Sequence, residues 1–529
     1  LSTILLTEES VMAGTGKRPA PAQDTDRAAQ PKNTVQLETE VAGSGLGAPA
    51  AGASSGADGA EGGWLVARLD RLPRRAVGFA ATGIAGLGLF TVFYSNFDPN
   101  VSYIQTCTQI RPGCTPANAQ GSLTLPVCLF LAGYLLGGLV VAPLSDRFGR
   151  RKLMAVALGF ALAGSLITAL AGRYGVFVAG RAVTGISMGT MLSVANTYIG
   201  ELAPARARAR YTARTFVLCA LGATCGIGFG LLLTTASAHF PQGLPGALAG
   251  PGFADGWRWV YGIAAALAAA GLIALIWLPE SPRWLIEHRR LAQADRVVTR
   301  LEERARRYGP VDEPTAPVTL PPHVRGQRAL AELVSAPRYR YRMVLLLAMW
   351  FTGYATVFSY STSSTVVLTS LHFTAPVAGM ISAVGGLGFF VQALFSARWS
   401  ESLERRYWLP AGAALTLIGA VLIATLGHTI AWAFIGSFVV FFGFNVWVPP
   451  TFTLTAECFP TRIRSAGFGL VDGLAVSGGA VGVLAIAPLV PRLTLLEALL
   501  LISGFLVLAA ILAQFTPRAR NRALEDLSP

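Results

Sequence analysis

Apolar residues run through this chain in stretches of about twenty, each closed by a short polar or charged segment. Twelve such stretches are readable, at about 77–104, 123–145, 153–171, 175–199, 214–235, 257–278, 343–366, 376–397, 408–427, 430–450, 466–490 and 495–516. Each is long enough to cross about 30 Å of hydrocarbon. A backbone in lipid has to satisfy its own hydrogen bonds, so each stretch predicts a helix. The expected fold class is an all-α membrane protein with 12 transmembrane helices. They fall into two groups of six, 76–278 and 343–516. Residues 279–342 between the groups are charged and punctuated by proline, which predicts a linker with short helices. Residues 517–529 form a polar tail. Residues 1–75 are rich in Ala, Gly, Pro and acidic residues without helical periodicity, the pattern of a disordered tail. The opening LSTILL is too short for a signal peptide, and Met12 is a candidate natural start.

Composition agrees with the pattern. Of the 529 residues, 53% are hydrophobic and 13% charged, where a soluble domain carries about a quarter charged residues. The net charge of +14 would suit a nucleic-acid partner, but its distribution argues for a bilayer. Of 42 Lys and Arg, Lys17, Arg18, Arg27 and Lys32 lie in the first tail, and most others fall on segments that alternate to the same side. The other side holds Arg111, Arg173, Arg258 and Arg492, and Arg181 lies within a span. That asymmetry puts both termini in the cytoplasm of a cell-membrane protein. Cys128, Cys219 and Cys225 read as small core residues. Cys107 and Cys114 share the first external loop, where a disulfide and two free thiols are both open readings.

The two groups share a plan. APLSDRFGRRK (142–152) parallels ARWSESLERRY (397–407), matching Asp146, Arg150 and Arg151 to Glu401, Arg405 and Arg406. ELAPARAR (201–208) parallels ECFPTRIR (457–464), matching Glu201, Arg206 and Arg208 to Glu457, Arg462 and Arg464. The spacing is the same to within one residue, which implies a duplicated six-helix unit. Two such halves rocking about a central site is the architecture of alternating access.

With these motifs the chain, over 76–516, resembles the major facilitator superfamily (MFS). PLSDRFGRR resembles its loop between the second and third helices, and GRAVTGISMG its fourth helix. PESPRWL (279–285) resembles a signature of the sugar porters and related metabolite:proton symporters. There are departures. The loop motif opens with Ala142 where Gly is usual. The paired glutamines of the sugar porters' seventh helix are replaced by MWFTGYATVFSYSTSS, and their tenth-helix pattern by GFNVWVPP. AECFPTRIRSAGFG looks more like the metabolite and aromatic-acid symporters.

The repeated acids and arginines lie on the cytoplasmic face. Ion pairs among Asp146, Arg150, Arg151, Glu201, Arg206 and Arg208, and among their counterparts Glu401, Arg405, Arg406, Glu457, Arg462 and Arg464, would latch helix ends there. Such a latch biases the inward- and outward-facing populations by a few kcal/mol. The alternative is that the arginines only set topology.

Inside the spans the acids are Asp98 and Asp472 and the base is Arg181; the histidines 239, 288, 323, 372 and 428 all fall in loops. An ionisable group in a membrane costs at least about 2.5–3.5 kcal/mol and marks function by default. Counting along the first and fourth helices puts Asp98 and Arg181 both roughly 9 Å below the outer surface, so they can meet. The resemblance implies that this pair couples transport to protons. Burial favours a protonated carboxyl and a nearby guanidinium an ionised one, so separating such a pair switches its proton affinity. Pro99 should kink the helix beside it. The alternative is a static pair that fixes packing. Asp472 has no basic partner in view. Its readings are contact with a cation or cationic substrate, or a place in a water-filled vestibule. Tyr134, Tyr360, Gln392, Asn445 and Trp447 are substrate-binding candidates, or else helix–helix hydrogen bonds worth about 0.6 kcal/mol each.

The expected function is a monomeric secondary transporter that moves a small polar organic metabolite, sugar-like or an organic or aromatic acid, in symport with protons. The rivals are a proton-exchanging exporter of drugs or metabolites and a non-transporting membrane sensor. No nucleophile–base set, metal cluster or phosphate-binding glycine loop is readable, so neither an enzyme nor a cofactor is expected.

Overall fold

The computed structural model describes residues 53–73, 76–116, 118–204, 208–250, 253–311, 313–314, 316–318, 334–370, 373–399, 402–459, 464–486, 489 and 492–518. Nearly all regular structure among them is helical. The β content is one isolated bridge, Ala236 to Ala249.

The first helix, α1 (Ala53–Asp70), precedes the spans. The amino half then comprises α2 (Phe79–Phe97), α3 (Pro99–Ile110), α4 (Ala119–Leu136), α5 (Leu144–Phe148), α6 (Arg150–Ala169), α7 (Tyr174–Leu202), α8 (Arg208–Thr234) and α9 (Gly256–Ala274). The linker holds α10 (Pro282–Glu287) and α11 (Leu291–Arg306). The carboxy half comprises α12 (Pro337–Ser370), α13 (Ala375–Trp399), α14 (Trp408–Leu426), α15 (Ile430–Val446), α16 (Val448–Glu457), α17 (Arg464–Ala475), α18 (Ser477–Ile486) and α19 (Leu495–Ala513). Among the described residues, eleven segments are long and apolar enough to cross a membrane. The remaining expected span is the broken pair α2 and α3.

Three of the twelve spans are interrupted, and each interruption has a local cause or consequence. The first breaks at Asp98, ahead of Pro99; the tenth at Trp447, ahead of Pro449 and Pro450; the eleventh at Val476, in a glycine-rich stretch. A proline withholds the N–H that its i−4 carbonyl would accept. Freed carbonyls at membrane depth are tolerated where protein or a cavity takes them up.

The halves pack as the repeat predicts. In the amino half α6 lies on α7 and α9, α4 on α7, and α2 on α8. In the carboxy half α14 lies on α15 and α19, α13 on α15, and α12 on α18 and α19. Across the seam α4 meets α18 and α8 meets α13, contacts that the duplication exchanges, and α3 meets α12. Where α3 and α12 meet, Asn100 is fully buried. Its amide donates to the Ser361 carbonyl at 2.7 Å and to the Ser364 hydroxyl at 3.0 Å, and it accepts from the Thr365 hydroxyl at 2.7 Å.

One expectation needs correcting. The unstructured reading of residues 1–75 fails over α1, while residues 1–52 lie outside the described residues. Leu65 and Val66 of α1 bury themselves against Trp284, Leu285 and Ile286 of α10. Arg68 grips Glu302 of α11 through two bonds, at 2.9 and 2.7 Å, and Asp295 at 2.6 Å. Asp70 pairs with Arg283 at 2.5 Å. Local composition cannot reveal a helix whose partners lie more than two hundred residues away.

Candidate functional site

The structure brings Asp98 and Arg181 together in the amino half, at 1% and 3% exposure. The fourth span explains how. Arg181, Gly185 and Gly189 recur every fourth residue and share one face of α7. The glycines let α7 lie directly on α4: a Cβ on Gly185 would stand 1.9 Å from the Phe130 carbonyl oxygen, and one on Gly189 2.0 Å from that of Tyr134. That crossing carries the Arg181 guanidinium over the Phe130 ring, 4.9 Å from its centroid. From there Nη1 donates to Asp98 Oδ1 at 2.9 Å and Nη2 to the Ser95 carbonyl at 2.7 Å.

Ser95 stands four residues before Pro99, so its carbonyl is the one the proline leaves without a helical donor. The guanidinium therefore fills the gap in the helix and neutralises the adjacent acid in one planar contact, which suits arginine and not lysine. The second oxygen, Asp98 Oδ2, is buried and accepts no hydrogen bond from the described residues. The site is a buried ion pair with one carboxylate oxygen unpartnered among the described residues.

The repeated motifs form parallel contacts in the two halves. Arg150 Nη2 reaches Glu201 Oε1 at 2.7 Å and Asp146 Oδ1 at 2.8 Å, and Arg405 pairs with Glu457. The second arginine of each pair does something different. Arg151 Nη2 donates to the Ile276 carbonyl at 2.9 Å, and Arg406 Nη1 to the Gln514 carbonyl at 3.2 Å. Each thus caps the exposed carbonyls at the end of the last helix of its own bundle, where a cation is favoured. Glu401, Arg206 and Arg462 lie outside the described residues, as do the side chains of Arg208 and Arg464.

Glu280, in PESPRWL, is a residue that sequence reasoning missed. Its Oε1 accepts from the backbone N–H of Arg150 at 2.9 Å and of Arg151 at 3.2 Å, so a carboxylate sits on the N-terminus of α6. Gly149, at φ 101°, makes room: a Cβ there would stand 2.4 Å from Glu280 Oε2. Trp284 Nε1 donates to the Asp146 carbonyl at 2.8 Å, completing the dock of this motif on the loop motif. The conspicuous motif was the available signal; which loop it caps was not readable.

The substrate candidates separate. Tyr134 meets Asp472: its hydroxyl donates to Oδ2 at 3.3 Å, while Tyr354, also missed, donates to Oδ1 at 2.5 Å. Trp447 is buried against Trp350, ring centroids 4.8 Å apart, and its Nε1 finds no acceptor among the described residues. Gln392 is fully buried; Nε2 donates to Ser396 at 2.6 Å, and Oε1 has no partner among the described residues. Asn445 donates to its own helix, to the Phe441 carbonyl at 3.1 Å. Tyr360 points into the carboxy bundle, with its hydroxyl 3.1 Å from Ser503, beside a narrow cavity shared with Ser359, Ser364 and Ser437. Cys107, near the end of α3, and Cys114, just beyond it, form a disulfide, their Cα atoms 5.9 Å apart.

Comparison with known proteins follows this geometry. The family model described as "Sugar (and other) transporter" matches residues 77–528. The glucose transporter GlcP of Staphylococcus epidermidis is 28% identical over 423 residues, covering 76% of this chain and 86% of its own. The putative metabolite transport protein YyaJ of Bacillus subtilis is 26% identical over 473 residues, covering 86% and 96%. Among solved structures, the proton:xylose symporter XylE matches with a TM-score of 0.63 at 20% identity, covering 85% of this chain and 98% of that one. Its inward-open form from E. coli matches with a TM-score of 0.64 at 19% identity, covering 85% and 98%.

Proposed function

Because the chain belongs to the sugar (and other) transporter family, we propose that it carries a small polar organic metabolite across the cell membrane in symport with a proton. It works by alternating access, with both termini in the cytoplasm. Relatives named for glucose and for proton:xylose transport support a sugar-like substrate. The loss of the paired glutamines from the seventh span keeps organic and aromatic acids in the set.

The Asp98–Arg181 contact carries the reading. Two buried opposite charges, with one carboxylate oxygen unsatisfied, have a strong reason to stay together and a strong penalty when apart. In the cycle, movement of α3 away from α7 strips the carboxylate of its counter-charge, and a proton takes the place of the guanidinium. Return of the pair expels the proton to the other side. The cytoplasmic pairs at Arg150 and Arg405 hold helix ends within each half in the outward-facing state and break as the inner mouth opens.

The test is uptake into proteoliposomes against a metabolite panel with an imposed proton gradient. Asp98→Asn removes the titrating group, so gradient-driven accumulation is expected to fall to background while counterflow exchange persists. Normal accumulation by Asp98→Asn sinks the coupling assignment.

A further inference from the structure

Asp98 has its counter-charge. Asp472 has none among the described residues: its two contacts are the hydroxyls of Tyr354 and Tyr134, which are neutral. Tyr354 belongs to the same half as Asp472, whereas Tyr134 reaches it across the seam from the other half. The halves pack closely at this level: a Cβ on Gly473 would stand 2.6 Å from the Leu139 side chain on the far side, and one on Gly138 3.9 Å from the Gly473 Cα. The carboxylate is therefore in a place that both halves touch, as a transported ligand must be.

An ionised carboxylate offers about four acceptor positions. The tyrosines take two, and the rest point to a donor that none of the described residues supplies. The surroundings narrow its chemistry. The Tyr354 ring packs on Trp350 at 5.2 Å and on Phe358 at 5.7 Å, and Trp350 on Trp447 at 4.8 Å. Aromatic faces and a carboxylate attract the same kind of group, an organic cation. The unpartnered Trp447 N–H adds a donor suited to a ligand hydroxyl.

We propose that Asp472, positioned by Tyr134 and Tyr354, seats the cationic nitrogen of the substrate. The transported metabolite is then a hydroxylated compound carrying a protonated amine or a quaternary ammonium. The proposal rests on the transporter reading and narrows it. Arrival of the nitrogen displaces the longer bond, from Tyr134, and replaces it as the link across the seam. A neutral substrate accompanied by a second proton is the rival outcome.

The experiment uses the full chain in nanodiscs, titrated with two matched pairs: choline against 3,3-dimethyl-1-butanol, and glucosamine against glucose. Tryptophan fluorescence and thermal melting give the affinities. In at least one pair the cation is expected to bind about tenfold more tightly than its neutral partner, about 1.4 kcal/mol. Asp472→Asn should level the pair, and Asp472→Glu should keep most of the preference. Should Asp472→Asn not fold, Tyr354→Phe loosens the carboxylate and should reduce the preference. Equal affinities in the unmodified protein, no cation binding, or a preference that survives Asp472→Asn overturns the proposal. Gradient-driven uptake of a neutral sugar without cation binding removes this proposal and leaves the transporter standing. Cation binding with no uptake of any solute does the reverse.

Discussion

At the scale of single residues, the economy of the first span lies in Pro99. It frees the Ser95 carbonyl one turn back, and the guanidinium that neutralises Asp98 also takes that carbonyl. Each group left alone would be expensive. Removing one partner of a buried pair costs about 3–5 kcal/mol, because the other charge stays behind. Arg181→Ala is therefore predicted to lower the melting temperature in detergent sharply, as it orphans both Asp98 and the Ser95 carbonyl. Adding Asp98→Asn removes the orphaned charge and should recover part of the loss. A double variant less stable than Arg181→Ala alone would show that the two side chains do not act as a pair. This contact was legible in the sequence, since ionisable residues inside the spans are so few and helix direction gives their depths. Asp472 was legible as an anomaly but its partners were not. Tyr354 is one of 13 tyrosines, and nothing in its local pattern marks it.

At the scale of elements, the helices themselves were readable because twenty apolar residues in lipid leave the backbone one option. Their interruptions were only half readable, with proline announcing two and the break at Val476 unannounced. Least visible was α1, whose Ala- and Gly-rich sequence resembles a tail and whose stability comes from α10 and α11. Arg68 is the hub: bidentate on Glu302, which is 6% exposed, and single on Asp295. Hydrogen bonds between charged groups contribute about 1.5–3 kcal/mol. Arg68→Ala should therefore release α1, raising amide exchange over residues 60–70 by roughly tenfold or more. The spans should keep their protection. Unchanged exchange in α1 would mean that Leu65 and Val66 hold it without the ion pairs.

At the scale of the whole molecule, the duplication sets two closures against each other. On the face that the proposed topology turns inward, each half ties its own helix ends with an arginine and a glutamate, Arg150 to Glu201 and Arg405 to Glu457. Toward the other face the two halves are tied to one another through Asn100 and the hydroxyls of α12. Burial decides which inner contact matters. The Asp146 side chain is 66% exposed and that of Glu201 18%, so the first contributes about 0–1 kcal/mol and the proposed latch rests on the second. Glu201→Gln is predicted to shift the resting population toward the inward-facing state, and Asp146→Asn to shift it little. Asn100→Ala, which cuts the link between halves, should shift it outward. Cysteine-probe accessibility on the two faces reads both shifts. If the two closures oppose one another through a single rocking motion, Glu201→Gln combined with Asn100→Ala should return the populations toward their starting ratio. Independent opening of both faces in the double variant would show that the two closures are not coupled through one motion; Asp98 and Arg181 sit in the same half, so parting them requires α3 to shift against α7 within that half.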